Sequence, residues 1–175
     1  YPDLPLVGIE PAVKPAAQNH RGEKVAVMAT PLTLHEEKFK QLVKRYENLA
    51  TIIPVPCPDL VEYVEKGILE GPELEGYLKD VLTPCLQEGV KAVVLGCTHF
   101  PLVKAAIGKV VGESVRIYDG GEGTARQAKC LLVAKNLCTD QEKGHICFES
   151  SAPEKEAYYE ALYRKAAHID SRVKL

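Results

Sequence analysis

A short run in the second half of the chain carries residue types that can move protons. Cys97 and His99 stand two positions apart in Gly96-Cys97-Thr98-His99, directly after the apolar run at residues 92–95. A thiol and an imidazole both exchange protons in the range around neutral pH. A free cysteine is, however, often only a small buried hydrophobic residue. The residue types alone therefore leave a structural thiol and a reactive thiol as open alternatives.

The local sequence predicts how this run is held. Gly96 is expected to let the chain turn tightly as the strand ends. Thr98 is expected to cap a helix that has Pro101 in its first turn. Cys97 would then lie between the end of a strand and the start of a helix, a position that supports a reactive thiol as well as a structural one.

The rest of the chain alternates apolar runs with amphipathic stretches of helical period. Strands are expected at residues 4–9, 25–28, 51–55, 92–95, 115–118 and 146–148. Helices are expected at residues 35–49, 59–66, 72–86, 101–111, 122–137 and 153–167, with Pro84 kinking or dividing the third. This alternation predicts an α/β fold with a mostly parallel sheet flanked by helices.

Polar and nucleophilic residues follow several of these strands. Right-handed crossovers bring the carboxyl ends of parallel strands to one edge of the sheet, where such folds bind ligands. The residues expected at this edge are Glu10, Thr30, Cys57, the Cys97 run and Asp119. The sequence therefore predicts a ligand site at this edge.

Composition excludes several classes of partner. The chain has 175 residues and a formal net charge of −2, which gives no broad basic surface for nucleic acid or an anionic membrane. No apolar run approaches the roughly 20 residues of a membrane span. Its six cysteines form no CxxC pair and no common zinc spacing, so we expect a cytoplasmic protein with free thiols and no metal.

The run from Gly96 to Leu102, Gly-Cys-Thr-His-Phe-Pro-Leu, resembles the second cysteine signature of the aspartate/glutamate racemase family, in its glutamate racemase branch. Other stretches resemble family segments in the same order, at residues 5–11, 25–33, 57–65 and 119–126. The resemblance extends to about residue 155. One departure is Gly120, where many members have Ser.

The resemblance implies a cofactor-independent reaction in which two cysteines transfer the α-proton of glutamate, without pyridoxal phosphate or a metal. Cys97 matches the second catalytic cysteine, and His99 matches the histidine that assists it. Glu65 matches an acidic residue that orients this histidine, and Thr98 matches a substrate-binding residue. For Glu65, the alternative is a solvated carboxylate on a helix.

Thr30 and Thr33 are candidates for lining the substrate cleft, although threonine after a strand is often only a turn or cap residue. Cys57 is expected to pack, because prolines flank it and the family motif assigns it no role.

The family has two α/β domains that face each other across the active site. On that pattern, residues 10–113 form the complete second domain, and residues 1–9 with 114–175 belong to an incomplete first domain. The family's first catalytic cysteine, in an Ala-Cys-Asn-Thr motif, is absent from this chain. We therefore expect the chain alone to be inactive, and we expect its unpaired apolar helix faces to favour a homo-oligomer.

The resemblance implies that the activity supplies D-glutamate for peptidoglycan. Two alternatives stay open at this stage. One is an aspartate or hydantoin racemase of the same superfamily, and the other is a truncated, non-catalytic binding module.

Overall fold

The computed structural model describes residues 4–140 and 144–172. The chain divides into two compact units: one is Glu10–Gly120, and the other, called the flanking unit below, comprises the residues on either side of it. The predicted boundary stood at residue 113, whereas a strand at Arg116–Tyr118 pairs within the sheet of the Glu10–Gly120 unit. The assignment of the two units to a complete and an incomplete racemase domain stays a prediction.

The Glu10–Gly120 unit is built on one parallel sheet. Its strands are β1 (Lys24–Ala29), β2 (Thr51–Pro56), β3 (Ala92–Leu95) and β4 (Arg116–Tyr118), in the order β2-β1-β3-β4. The central strands β1 and β3 are almost completely buried, as expected for apolar runs covered on both faces. Strand β2 lies at an edge, where its two prolines are tolerated.

Six α-helices accompany this sheet, and together they confirm the predicted α/β fold. They are α1 (Val13–Asn19), α2 (Pro31–His35), α3 (Glu37–Tyr46), α4 (Leu60–Glu65), α5 (Pro72–Gln87) and α6 (Lys104–Val111). The helix predicted over residues 35–49 is formed as α3 with narrower bounds, and the extended Glu36 (ψ 139°) separates it from α2, which was not predicted. Helix α5 continues through Pro84, so of the two predicted effects the division does not occur and the kink stays a prediction.

Apolar side chains fill both faces of the sheet. On one face, Val25 and Val27 of β1 and Val94 of β3 pack with buried residues of α1 and α3. The alternate strand residues point to the opposite face and are equally buried. This packing fixes the carboxyl ends of the strands, from which the candidate site residues emerge.

The flanking unit contains α7 (Gly121–Ala134), a 3₁₀ turn at Pro153–Lys155 and α8 (Glu156–Arg172). The predicted strands at residues 4–9 and 146–148 are not formed, so those two predictions were wrong. Both segments lack a strand partner among the residues described, and an isolated strand leaves its backbone groups unpaired. Across residues 4–140 and 144–172, no helix is long and apolar enough to cross a bilayer.

Candidate active site

The loop that carries Cys97 starts where β3 passes close to β1. The Gly96 N–H donates to the Met28 carbonyl oxygen over 2.7 Å. A Cβ atom on Gly96 would lie only 2.7 Å from the same oxygen and 3.3 Å from the Ala29 Cβ. The φ angle of Gly96 lies outside the left-handed region. Glycine is therefore required here by lack of space, and the predicted reason, a tight turn, was wrong.

A 3₁₀ turn at Phe100–Val103 follows residues 96–99, called the cysteine loop below, and leads into α6. Phe100 and Val103 are fully buried. The Phe100 N–H donates to the Cys97 carbonyl over 3.2 Å, and the Leu102 N–H donates to the His99 carbonyl over 3.1 Å. The buried Phe100 and Val103 and these two hydrogen bonds thus fix the backbone of Cys97 and His99.

The prediction that Thr98 caps a helix was wrong. His99 occupies the position before the 3₁₀ turn, and no side chain caps that turn. Thr98 is exposed, in the same loop as Cys97. Its predicted substrate-binding role stays a prediction.

Three predicted residues form one line of side chains. The Cys97 Sγ lies 3.8 Å from the His99 Nδ1, and the His99 Nε2 lies 2.9 Å from the Glu65 Oε1. Glu65 is the last residue of α4, which packs against the 3₁₀ turn. The side chains of His99 and Glu65 are 32% and 40% exposed, and Cys97 is half-buried, so the line is open to solvent.

This line can hold the imidazole in one tautomer. An ionised carboxylate only accepts hydrogen bonds, so the neutral His99 ring donates from Nε2 to Glu65. The unprotonated Nδ1 then faces the Cys97 sulfur and can accept the thiol proton. A base oriented by a third group and facing a thiol is the arrangement that activates sulfur chemistry.

Thr30 and Thr33 lie at the same edge of the sheet. Met28 of β1 pairs with Leu95 of β3. Thr30 and Cys97 each come two residues later, so the register places them at neighbouring positions. The Thr33 N–H donates to the Thr30 Oγ1 over 3.3 Å, and the two hydroxyl oxygens are 3.0 Å apart. Thr30 therefore caps α2, and a role in substrate binding for either residue stays a prediction.

Cys57 follows β2 at this edge but faces the protein interior. It is fully buried, its N–H donates to the Ala29 carbonyl over 2.9 Å, and its thiol donates to the Val55 carbonyl over 3.4 Å. Burial, with smaller effects of Cys85 and Cys97, raises the pKa of Cys57 to about 12. Cys57 therefore keeps its proton at neutral pH, as the packing interpretation expects.

A family model described as Asp/Glu/Hydantoin racemase matches residues 2–128. The chain belongs to this family.

Curated relatives agree with this family. Over 156 residues the chain is 44% identical to a glutamate racemase of Clostridium perfringens, covering 89% of this chain and 60% of the relative. Over 147 residues it is 46% identical to the glutamate racemase of Clostridium novyi, covering 83% and 57% of the two chains. The chain thus spans about 60% of the length of these relatives.

Solved structures of glutamate racemases share the fold. The Escherichia coli enzyme, in complex with L-glutamate and the activator UDP-MurNAc-ala, superposes with a TM-score of 0.75 at 31% identity, covering 93% of this chain and 62% of the other. The Francisella tularensis enzyme, in complex with D-glutamate, gives 0.62 at 26% identity, covering 73% and 47%.

In this member of the family, one contact beside the cysteine loop was missed by the sequence reasoning. The Lys104 Nζ donates to the Asp119 Oδ2 over 3.0 Å, and the two side chains are only 25% and 20% exposed. Asp119 was recognised at the end of a strand, but Lys104 was not singled out. The available signal was a cation that directly follows the apolar segment at residues 100–103.

Within residues 4–140 and 144–172, no group of three or more His, Cys, Asp or Glu side chains is arranged to hold a metal ion. The expectation of a reaction without metal or cofactor stays a prediction.

Proposed function

We propose that the chain is the part of a glutamate racemase that carries one of its two catalytic thiols. The observation that carries the proposal is the line from Cys97 through His99 to Glu65 at the carboxyl edge of a parallel sheet. Relatives named glutamate racemase and related structures with bound L- or D-glutamate support glutamate as the substrate.

In the proposed reaction, Cys97 serves one face of the substrate α-carbon. As the thiolate it removes the α-proton and becomes the thiol, and in the reverse direction the thiol returns a proton to the carbanion. His99 accepts the thiol proton at Nδ1 and so prepares the thiolate, while Glu65 holds the imidazole in orientation. A second cysteine, on a segment that by the family resemblance precedes this chain, serves the opposite face.

The α-proton of an amino acid is weakly acidic, so the developing negative charge needs hydrogen-bond donors that are already in position. We propose that the exposed Thr98, with Thr30 and Thr33, supplies donors to the substrate carboxylates. The reaction needs no pyridoxal phosphate or metal in this proposal. With only one of the two proposed catalytic thiols, the chain alone is not expected to complete a racemisation.

The biological setting is proposed in the same way. The product D-glutamate would serve peptidoglycan synthesis, and the enzyme would act in the cytoplasm. The cysteines of the described residues are all free thiols, which is consistent with a reducing compartment. Exposed apolar side chains of the flanking unit, such as Leu137 and Ile146, support a homo-oligomer.

The proposal is tested in a fusion that places the N-terminal region of the Clostridium perfringens relative before this chain. Circular dichroism at fixed substrate concentration follows the racemisation of L- and D-glutamate and of L- and D-aspartate. We expect glutamate turnover that falls by roughly a thousandfold or more in Cys97→Ser, because loss of a group acting directly on the proton is severe.

The matched control is Cys130→Ser, which changes an exposed thiol on α7 and should keep the parent rate. Near-parent racemisation by Cys97→Ser would contradict the assignment of the thiol. Turnover of aspartate alone would favour the alternative of an aspartate racemase.

A further inference from the structure

The segment from Leu95 to Lys104 leaves the sheet and returns to it as a closed loop. In the β3–β4 ladder Val94 pairs with Tyr118, so the next residues, Leu95 and Asp119, follow the register at neighbouring positions. Nine residues after Leu95, Lys104 binds Asp119 through its ammonium group at 3.0 Å. The ion pair therefore closes the loop at its base, and this loop contains Cys97 and His99.

The ion pair is sheltered from solvent, unlike most pairs on this chain. Three quarters or more of each side chain is buried, whereas exposed pairs are screened and contribute little. Removal of one partner from a sheltered pair is destabilising, because the remaining charge loses an ion-pair partner in a place that water reaches poorly. The loop is thus held at this base by a contact that is costly to break.

The same loop is held on its other side by Glu65. The Glu65 carboxylate, at the end of helix α4, binds the His99 ring. Lys104, which follows the 3₁₀ turn, binds Asp119, which follows β4. Between these two contacts, the Cys97 sulfur is 3.8 Å from the ring, a separation that a small shift of the loop would change. A displacement of about 1 Å can reduce an effect that depends on geometry by up to about a hundredfold.

We propose that Lys104 and Asp119 are positioning residues that set the distance between the Cys97 sulfur and the His99 ring. The inference rests on the proposed function, since it assigns these two residues to the same thiol–imidazole pair. Neither residue contacts the reacting atoms in this proposal. Their effect is transmitted through the backbone of the 3₁₀ turn, which joins His99 to Lys104.

The test measures the alkylation rate of Cys97 in this chain by iodoacetamide at pH 7, with peptide mass spectrometry. The readout is the factor by which His99→Ala changes that rate, in the parent and in Lys104→Met. We expect this factor to be about fivefold in the parent and less than about twofold in Lys104→Met, as for residues that share one network. Lys104→Arg, which keeps the ion pair, should restore the parent factor.

The matched control is Lys109→Met on the same helix. Lys109 binds Glu75 of α5 at 3.1 Å, so this change also removes an ion pair of α6, but one away from the cysteine loop. It should leave the factor as in the parent. The rate of the exposed Cys130 serves as the internal reference in every sample.

Two results would contradict different parts of this account. If His99→Ala changes the Cys97 rate equally in the parent and in Lys104→Met, the positioning role is wrong while the thiol–imidazole pair stands. If His99→Ala has no effect in the parent, the proposed function itself loses its support. Asp119→Asn carries the same test from the other partner, should Lys104→Met fail to fold.

Discussion

Helices α5 and α7 are similar in length, with 16 and 14 residues, but they differ completely in burial. Helix α5 buries Leu74, Leu78, Leu82 and Cys85, whereas α7 buries no residue although it carries Leu131 and Leu132. The difference follows from the sheet, which lies entirely in the Glu10–Gly120 unit. An amphipathic sequence is sufficient for a helix, but burial requires a surface on which to pack.

The same difference separates the two units as a whole. Among the residues described, the buried apolar side chains lie in Glu10–Gly120 except for Leu162 and Ala166. The large exposed apolar side chains lie in the flanking unit except for Leu32. The thiol–imidazole–carboxylate line belongs to the packed unit, so the packing of that unit supports its geometry.

The largest effect is expected from truncating leucines in the two helices. Leu78→Ala should lower the free energy of unfolding by about 3 kcal/mol, because it opens a cavity beside the sheet. Leu132→Ala, on the partly exposed α7, should cost less than about 1 kcal/mol. Urea denaturation measures both, and equal losses would show that the two helices do not differ as described.

Alanine in place of glycine tests the same difference between the packed unit and α7 at the level of the backbone. Gly96→Ala should destabilise by about 2 kcal/mol, because the new methyl group would meet the Met28 carbonyl. Gly123→Ala on α7 has open space and should stabilise by up to about 1 kcal/mol. Opposite signs in thermal denaturation are expected, and a neutral Gly96→Ala would contradict the close contact.

An effect that is smaller at each pH unit distinguishes the thiols of the two units at high pH. Burial raises the pKa of Cys57 from 9.0 to about 12. Its stabilising contribution is therefore complete below pH 9 and is lost as the pH rises towards 12, by on the order of 1 kcal/mol per pH unit. Cys57→Ala should make the fall in unfolding free energy less steep.

The control for this pH dependence is Cys130→Ala, which removes an exposed thiol. It should follow the parent curve between pH 9 and pH 12. The pKa of Tyr77 is also raised to about 12, by burial and then by Cys57, so Cys57→Ala removes one of these causes and reduces the Tyr77 contribution in the same direction. Identical slopes in Cys57→Ala and the parent would contradict a buried, protonated Cys57.

Local sequence was sufficient for the features that depend on one segment. The strand at residues 92–95 was predicted with its observed bounds, because a continuous apolar run at the centre of a sheet has few alternatives. The place of Cys97 at the end of that strand followed directly. His99 was singled out by its place two residues after Cys97, whereas Glu65 was singled out only by the family resemblance.

Features that depend on tertiary contacts could not be predicted. The segment at residues 4–9 has a strand-like composition, but a strand requires a neighbour that the sequence does not reveal. The space around Gly96 depends on how closely β1 and β3 approach. The pairing of Lys104 with Asp119 depends on the register of β3 and β4, which is set by the whole sheet.

The most direct test of the central claim, that the thiol of Cys97 serves one face of glutamate, is deuterium incorporation in D₂O. The fusion with the Clostridium perfringens N-terminal region is incubated with L-glutamate and, separately, with D-glutamate, and α-deuterium is measured by NMR. We predict that Cys97→Ser abolishes exchange from one enantiomer and retains it from the other. Equal exchange from both enantiomers, whether retained or lost, would contradict the claim.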